Sequence, residues 1–449
     1  MVDPAIFKAY DVRGVYPGEL DAAVAERIGR AFVAFLGADR VAVGRDMRRS
    51  GQALARALMR GIAAQGADLV DLGLTSTDEL YFAVGKFGYP AGAMVTASHN
   101  PPEYNGLKLC RADAIPLSED TGITQIRDMV VNDQIPAASR RGQITTRDVL
   151  QDYVAHALGF IDVGALQPLT VVADAGNGMA GMILPTVFDH LPCRLIPLYF
   201  ELDGSFPNHP ANPIEPENIV DLQAKVRETG ADLGVAFDGD ADRMFLVDER
   251  GTFIGGDMVT ALVARSLLQK HPGATIVYNL ICSRSVPETI ARNGGRAVRE
   301  RVGHSFIKAT MRREDAIFGG EHSGHFYFRD NWYADSGLIA FLTVLELLSA
   351  ADAPLSRVLA PLDPYVRSGE INSEVGDIAA VLARVEAHER AAGATIDTLD
   401  GLTVNFPDWW FNLRPSNTQP LLRLNVEASD PAQLKAKTDE VLALVRSDE

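Results

Sequence analysis

Apolar runs typical of buried strands alternate with amphipathic helical stretches along the first two-thirds of the chain. The first group contains an apolar run at residues 41–46, a helical stretch at 52–64 and a second apolar run at 91–98. A second group follows the amphipathic stretch 147–161, and a third opens with a helical stretch at 257–270. Because strands that alternate with helices form βαβ units, the pattern predicts three sequential α/β domains with mixed or parallel sheets.

The tail of the chain has a different order of elements. Pro361, Pro364 and Gly369 interrupt both periodicities and mark a linker. Beyond them come one amphipathic helix, a strand-rich segment at 394–427 and a closing helix from Pro431, an order that predicts a small α+β domain. We therefore expect an α/β fold with four domains, at residues 1–146, 147–252, 253–366 and 367–449.

The composition is that of a globular protein. The 449 residues are 47% hydrophobic and 22% charged, and the formal net charge is -17. Nucleic acids and anionic membranes select basic surfaces, so this charge argues against either as the main partner. The N-terminus has no signal-peptide pattern, and no apolar run reaches the ~18 residues of a membrane span. The widely spaced Cys110, Cys193 and Cys282 suit free thiols in a reducing cytosol, and we expect a cytoplasmic monomer, with a dimer as the alternative.

The segment 96–109, TASHNPPEYNGLKL, places a serine at the end of an apolar run. Ser98 follows Ala97 and enters a loop rich in asparagine, proline and glycine. Open α/β sheets bind ligands at the carboxyl ends of their strands, so this serine is a candidate for chemistry. Taken alone, Ser98 also fits an ordinary turn residue, His99 a loop residue that hydrogen-bonds locally, and Lys108 a solvated lysine on a returning strand.

Three aspartates at alternating positions follow the apolar run LGVAF. Asp238, Asp240 and Asp242 provide hard oxygen ligands, which favour Mg²⁺ or Ca²⁺ over a soft metal. A solvated turn is the alternative, although turns seldom concentrate three carboxylates without a cation. The spacing to Glu249 also matches an EF-hand loop, but Arg243 occupies the position that needs glycine, and we reject that interpretation.

Residues 176–181, GNGMAG, match the G-x-G-x-x-G dinucleotide pattern after another apolar run. Glu201 lies at the distance expected for the acidic residue that binds the ribose. This pattern supports an NAD-dependent dehydrogenase as the competing function. We prefer a tight strand-to-helix turn, because a glycine pattern alone is weakly specific.

The segment 319–328, GGEHSGHFYF, concentrates polar side chains in one glycine-rich loop. Glu321 and Ser323 are suited to bind neighbouring sugar hydroxyls, which discriminates against analogues that lack them. Zinc binding by Glu321, His322 and His325 is an alternative, but the spacing differs from the helical zinc pattern.

A phosphate cradle is predicted at residues 414–420, RPSNTQP. Arg414 offers a planar fork of donors. Ser416 and Thr418 offer hydroxyls, and the turn-forming Asn417 helps to present backbone N–H groups. A simple β-turn between strands is the alternative.

Five motifs occur in order along the whole chain: FKAYDVRG, TASHNP, DGDADR, GEHSGH and RPSNTQP. Together they resemble the α-D-phosphohexomutase family, and within it the bacterial phosphomannomutase/phosphoglucomutase branch. The resemblance implies a heart-shaped protein of four domains around a central cleft, to which each domain contributes one loop. It also implies interconversion of hexose 6-phosphate and hexose 1-phosphate through a phosphoserine and a bound 1,6-bisphosphate, which also serves as activator.

The motifs of this family assign roles to residues of the chain. Ser98 would carry the phosphoryl group and, with the three aspartates of residues 238–242, would bind Mg²⁺. Arg13 and Lys108 would act near the transferring phosphate, and Lys108 or His304 would move the hydroxyl proton. The phosphosugar would be bound by residues from all four domains: Tyr10, Arg243, Glu321, Ser323, His325, Arg414, Ser416, Asn417 and Thr418.

Two positions depart from the family pattern. Ile281 stands where relatives often have a lysine, a role for which Arg284 is a substitute, and His322 stands where methionine is common. The Asn-Thr-Gln-Pro ending at residues 417–420 resembles phosphomannomutase/phosphoglucomutase members, so mannose phosphate ranks first, glucose phosphate next and glucosamine phosphate third. A phosphoglucosamine mutase, or a phosphosugar-binding protein without turnover, are the further alternatives.

Overall fold

The computed structural model describes residues 2–415 and 421–446, whose strands form four separate sheets. The strands of the first sheet are β1 Val12–Val15, β2 Arg40–Arg45, β3 Asp68–Leu74, β4 Ala91–Val95, β5 Tyr104–Arg111, β6 Ile115–Pro116 and β7 Ile144–Thr146. The helices of this part are α1 Ala22–Leu36, α2 Gly51–Ala64, α3 Thr77–Phe87 and α4 Ile123–Val131. The strand order is β1-β5-β4-β2-β3-β7, with β6 paired to β5. Strands β4, β2, β3 and β7 run parallel, so β4 and β2 end at the same edge.

The second sheet has the order β12-β11-β10-β8-β9, in which β8, β9 and β10 are parallel. Its strands are β8 Thr170–Asp174, β9 Arg194–Leu198, β10 Leu233–Phe237, β11 Met244–Asp248 and β12 Phe253–Ile254. The accompanying helices are α5 Leu150–Leu158, α6 Ala180–Phe188 and α7 Val220–Thr229. The antiparallel turn from β10 to β11 carries the aspartate motif.

The third sheet has the order β14-β13-β15-β16-β17. Its strands are β13 Thr275–Asn279, β14 Arg296–Glu300, β15 Phe318–Gly320, β16 Phe326–Phe328 and β17 Ala334–Asp335. The helices are α8 Gly256–Lys270, α9 Ser285–Arg292, α10 His304–Glu314, α11 Gly337–Ala351 and α12 Leu355–Leu359. The loop between β15 and β16 carries the GEHSGH motif.

The fourth sheet is antiparallel throughout, in the order β18-β22-β21-β20-β19. Its strands are β18 Val366–Glu374, β19 Thr395–Asp397, β20 Leu402–Asn405, β21 Trp409–Pro415 and β22 Leu421–Ala428. The helices are α13 Ile378–Ala391 and α14 Pro431–Val445.

Two of the hydrophobic cores in the described residues differ in how many domains they join. The buried faces of α6, α8 and α11 belong to one continuous core that joins the second and third sheets, with Phe237 and Phe341 among its members. The fourth sheet has its own core, which includes Val385, Phe411 and Val441. Burial of apolar side chains in a core stabilises the fold. Because the core of the last domain is separate from the others, this domain is stabilised largely by contacts within itself.

The predicted fold class is confirmed, with mixed sheets in three α/β domains and an antiparallel sheet in the last. Gly369 was expected in the linker but lies within β18, at the register shift between Arg367 and Glu370. Its φ of 69° explains the glycine, because this backbone conformation is costly for other residues and suits a bulge. Among the residues described, no helix has the length and apolar character to cross a membrane.

Candidate active site

Ser98 lies just beyond the carboxyl end of β4, in the loop that leads to β5. Its Oγ donates a hydrogen bond to Asp238 Oδ2 at 2.6 Å, and its backbone N–H donates to Thr96 Oγ1 at 2.8 Å. The residue is buried and has a φ of 51°, a conformation that non-glycine residues adopt mainly where the surrounding structure enforces it. The loop therefore holds one hydroxyl against the aspartate motif of the second domain.

The aspartate motif meets the serine loop although the two hydrogen-bonded residues are 140 positions apart in the sequence. One oxygen from each of Asp238, Asp240 and Asp242 lies within 4.8 Å of the others. A Cβ on Gly239 would stand 2.5 Å from the carbonyl oxygen of Ser98, so only glycine permits this approach. The two loops thus share one buried site.

The donor set of this site fits a hard divalent cation. Asp240 and Asp242 are almost completely buried, and within the described part of the chain their Oδ1 atoms have no hydrogen-bond partner. A buried anionic oxygen without a partner is strongly unfavourable, and carboxylate oxygens are the preferred ligands of Mg²⁺. Burial raises the pKa of Asp238 well above its usual range, and the charges of Asp240 and Asp242 raise it further. A cation would reverse this effect.

Lys108, on β5, points into the same group of carboxylates. Its Nζ donates to Asp240 Oδ2 at 2.7 Å and also to Asp242. Burial alone would raise the pKa of Asp240, but the charge and hydrogen bond of Lys108 hold it below its usual range. Lys108 is therefore an ion-pair partner of the site and not a solvated surface lysine.

Two arginines flank Ser98. Arg243 donates from Nη2 to Ser98 Oγ at 3.1 Å and contacts the ring of His99. Burial, followed by the charge of Arg243, lowers the pKa of His99 well below its usual range, so His99 is neutral. Arg13 hydrogen-bonds Asn100 of the serine loop and Asp11. Together the guanidinium groups place positive charge where a phosphoryl group on Ser98 would lie.

The loop between β15 and β16 reaches the same cleft. His325 Nε2 lies 3.8 Å from Asp242 Oδ1, and its Nδ1 is 3.0 Å from the Ser323 hydroxyl. Burial and the charge of Arg243 lower the pKa of His325 to about 4. The Glu321 carboxylate accepts from Tyr327 and, at 3.3 Å, from Asn279 Nδ2.

His304 begins α10 and faces the first domain. Its ring centroid is 5.0 Å from that of Tyr10, in an edge-to-face arrangement. Burial lowers the pKa of His304 well below its usual range, and the charge of Lys308 lowers it further. The ring is therefore neutral.

The predicted phosphate cradle is described only in part. Arg414 is buried near the end of β21, and its Nη2 donates to Glu370 Oε2 at 2.8 Å. Its Nε has no hydrogen-bond partner among residues 2–415 and 421–446. Ser416, Asn417 and Thr418 lie outside the described residues.

Models of one protein family match four consecutive stretches of the chain. They are described as phosphoglucomutase/phosphomannomutase alpha/beta/alpha domain I at residues 4–135, domain II at 151–251, domain III at 255–365 and C-terminal domain at 370–444. The chain belongs to the phosphoglucomutase/phosphomannomutase family. The predicted family, and with it the prediction of an enzyme that acts as a hexose phosphate mutase, is confirmed.

Relatives of this family member align along its full length. A phosphomannomutase of Escherichia coli is 43% identical, over 99% of this chain and 100% of the relative. Phosphohexose mutases of Xanthomonas campestris are also 43% identical, over 98% of this chain and 99% of theirs. The crystal structure of a phosphoglucomutase/phosphomannomutase family protein from Burkholderia thailandensis superposes with a TM-score of 0.92 at 37% identity, covering 100% of this chain and 98% of that one.

Several alternatives from the sequence find no support in this phosphoglucomutase/phosphomannomutase structure. A Cβ on Gly178 would lie 2.7 Å from the Gly239 carbonyl oxygen, and one on Gly181 would lie 2.3 Å from that of Phe200. These glycines therefore serve close backbone packing, and no comparison favours a dehydrogenase. The proposed zinc ligands are divided, since His322 faces Asp257 at 4.0 Å while His325 faces the aspartate motif.

Arg284 does not take the place of the lysine that Ile281 replaces. Its guanidinium donates to the carbonyl oxygens of Phe406 and Trp409 in the last domain, at 2.6 and 3.1 Å. Arg284 instead ties the third domain to the fourth. The sequence did not reveal this contact, because it does not show which neighbour a long side chain reaches.

Residues outside the sequence motifs also belong to this site. Thr77, the first residue of α3, donates from Oγ1 to Asp240 Oδ2 at 2.6 Å, and Ser76 and Glu79 fix that helix end through a capping box. Asp335 joins Asp242 and His325 in a second group of possible metal ligands, although Lys308 pairs with it at 2.7 Å. The sequence feature that could have indicated Thr77 is its position shortly after the carboxyl end of β3, at the sheet edge where ligands bind.

Proposed function

We propose that the protein interconverts hexose 6-phosphate and hexose 1-phosphate, with mannose phosphate as the first substrate and glucose phosphate as the second. The phosphoryl group is carried by Ser98, and the hexose 1,6-bisphosphate is both the bound intermediate and the activator that phosphorylates the serine. The observation that carries the proposal is the 2.6 Å hydrogen bond between Ser98 Oγ and Asp238, which joins the nucleophile to the acidic loop.

In the first half-reaction the phosphorus bond to Ser98 Oγ breaks while a bond to the sugar O1 or O6 forms. Ser98 Oγ leaves as an oxyanion beside Arg243, which already donates to it, and afterwards takes up a proton. The sugar hydroxyl loses its proton to a neutral base. His304 is the proposed base, since its ring is neutral and lies against Tyr10 of the first domain, whereas Lys108 is held in ion pairs and supplies positive charge. In the second half-reaction the phosphorus bond at the other end of the bisphosphate breaks while a bond to Ser98 Oγ forms, which regenerates the phosphoserine.

Mg²⁺ is the proposed metal, held by the Asp238, Asp240 and Asp242 carboxylates and by an oxygen of phosphorylated Ser98. When bound, it neutralises charge on the transferring phosphoryl group. The buried Oδ1 atoms of Asp240 and Asp242, which accept no hydrogen bond from the described residues, support this assignment.

The remaining residues bind the rest of the phosphosugar. Glu321, Ser323 and His325 face the sugar hydroxyls, with Tyr10 at the entrance from the first domain. The cradle of Arg414, Ser416, Asn417 and Thr418 holds the phosphate that is not transferred. Because the same serine must serve both ends of the sugar, the intermediate turns around between the two half-reactions.

We further propose a cytoplasmic monomer whose partner is the phosphosugar and not a nucleic acid or a membrane. The net charge of -17 is spread over the whole chain, whereas Arg13, Lys108 and Arg243 gather around Ser98. An anionic substrate is therefore attracted locally, despite the global charge.

A substrate panel tests this function. Purified protein with Mg²⁺ and a trace of hexose 1,6-bisphosphate is assayed on mannose 1-phosphate, glucose 1-phosphate and glucosamine 1-phosphate. We expect the highest kcat/KM with mannose 1-phosphate. Turnover of none of the three would contradict the proposal, and a higher kcat/KM for glucosamine 1-phosphate would reassign the enzyme to phosphoglucosamine.

A further inference from the structure

Arg48 follows β2 and has a completely buried side chain, whose hydrogen bonds go to backbone carbonyls. Its Nη2 donates to the carbonyl oxygens of Ser98, at 2.8 Å, and of Asn100. Its Nη1 donates to those of Pro101, at 2.7 Å, and Tyr104, at 2.9 Å. One guanidinium group thus binds four carbonyls of the loop that carries the nucleophile.

These contacts require an arginine. The Ser98 loop turns its carbonyl groups inward, and buried carbonyls need hydrogen-bond donors. A guanidinium presents five N–H donors in a rigid plane, whereas the lysine ammonium has three donors around one point. A lysine at position 48 would retain the charge but would leave some of these carbonyls unpaired.

A segment of the second domain packs against the other side of Arg48. The Phe206 ring centroid is 5.1 Å from the Arg48 guanidinium carbon. A Cβ on Gly204 would lie 2.5 Å from Arg48 Cα, so the backbone of this segment rests directly on the arginine. Asp46 completes the surroundings with an ion pair at 3.5 Å.

We infer that Arg48 is a positioning residue for phosphoryl transfer: it fixes the Ser98 loop so that Oγ is directed at Asp238, and it fastens that loop to the second domain. Arg48 acts through the backbone, since its own side chain is covered by the loop and by Phe206. The inference rests on the proposed function, in which Ser98 carries the phosphoryl group. It explains how Ser98 keeps a φ of 51°.

The test compares Arg48→Lys with Arg27→Lys. Arg27 also donates to a backbone carbonyl of the first domain, that of Val130, but on α1, outside the serine loop. We expect kcat of Arg48→Lys to fall ~10–100-fold while KM changes less than ~3-fold, because a displaced nucleophile slows transfer without weakening substrate binding. The rate at which isolated phosphoenzyme passes its phosphoryl group to hexose monophosphate should fall by the same factor. Arg27→Lys should match the wild type.

A second variant keeps the inference testable if Arg48→Lys does not fold. Phe206→Leu removes the ring over the guanidinium and leaves the four hydrogen bonds, and we expect a ~3–10-fold fall in kcat with an unchanged melting midpoint. A wild-type kcat in folded Arg48→Lys, or in Phe206→Leu when Arg48→Lys is unfolded, would overturn the inference. A loss confined to KM would overturn it too. If the wild type accepts no phosphoryl group on Ser98, the proposed function itself fails. If the wild type is phosphorylated on Ser98 but Arg48→Lys has the wild-type kcat, only the inference about Arg48 fails.

Discussion

The junction between the first and second domains differs in construction from the junction between the third and fourth. At the first junction, Ser98 donates a hydrogen bond to Asp238. Thr77 and Lys108 both donate to Asp240. All of these side chains are buried except that of Lys108, which is partly exposed. At the second, buried Glu427 accepts from the backbone N–H of Arg284, but several further hydrogen bonds join partly exposed groups. Examples are Arg284 to carbonyls of the last domain, Arg299 to Asp397 at 2.8 Å, and Val302 N to Asp400 Oδ2 at 3.1 Å.

This difference matches what each junction must do. The chemical step needs donors and carboxylates held in place before the substrate arrives, and buried hydrogen bonds provide that rigidity. In the proposed function, the cradle accepts either phosphate and releases an intermediate that turns around. The last domain has its own core, and the exposed ion pairs at this junction oppose its movement only weakly, because such pairs contribute only ~0–1 kcal/mol.

The largest effect is expected at the rigid junction. Asp240→Asn removes one charge from the proposed metal ligands, and we predict a ~10²–10³-fold fall in kcat and a shift of the Mg²⁺ titration to higher concentration. Asp221→Asn is the control, since that carboxylate binds only Tyr199 OH in the described contacts and lies on α7. An unchanged Mg²⁺ titration of Asp240→Asn would separate this loop from the metal.

A smaller effect is expected in the last domain. Arg414→Lys replaces a planar fork by a point charge, so we predict a roughly tenfold rise in KM for hexose phosphates with kcat less affected. Arg446→Lys, which alters a contact with Ser373 elsewhere in the same domain, should leave KM unchanged. Equal effects of the two variants would argue against a cradle at Arg414.

The smallest effect is expected at the junction between the third and fourth domains. Asp397→Asn weakens its ion pair with Arg299, in which both side chains are partly exposed. We predict that kcat changes by less than ~3-fold and that the melting midpoint shifts by no more than a few degrees. A loss as large as that of Asp240→Asn would show that the two junctions are equally rigid, and the comparison would fail.

The positions of Ser98 and of the three aspartates in the site were predictable from the sequence for a physical reason. Ser98 and the aspartates each follow an apolar strand, and the carboxyl ends of strands in α/β sheets lie where ligands bind. The family resemblance then supplied the pairing of the two loops, which periodicity alone does not give. The antiparallel tail was also predictable, from its change in element order.

The contacts that the sequence did not reveal are those made with backbone or across domains. Arg48 binds carbonyl groups, which every residue possesses, so no residue pattern marks its partners. Arg284 reaches the last domain because of how α9 is oriented, and Thr77 reaches Asp240 through the placement of α3. Gly369 has a positive φ within β18, and a glycine in a sequence does not tell whether it lies in a linker or in a bulge.

The intact mass of the protein tests the central claim, that Ser98 carries the migrating phosphoryl group. Wild type and Ser98→Ala are incubated with hexose 1,6-bisphosphate, freed of ligand, and measured before and after hexose monophosphate is added. We predict a gain of ~80 Da, one phosphoryl group, on Ser98 of the wild type, its loss on addition of hexose monophosphate, and neither mass gain nor turnover in Ser98→Ala. A gain at another residue, or a Ser98 phosphate that hexose monophosphate does not remove, would contradict the account.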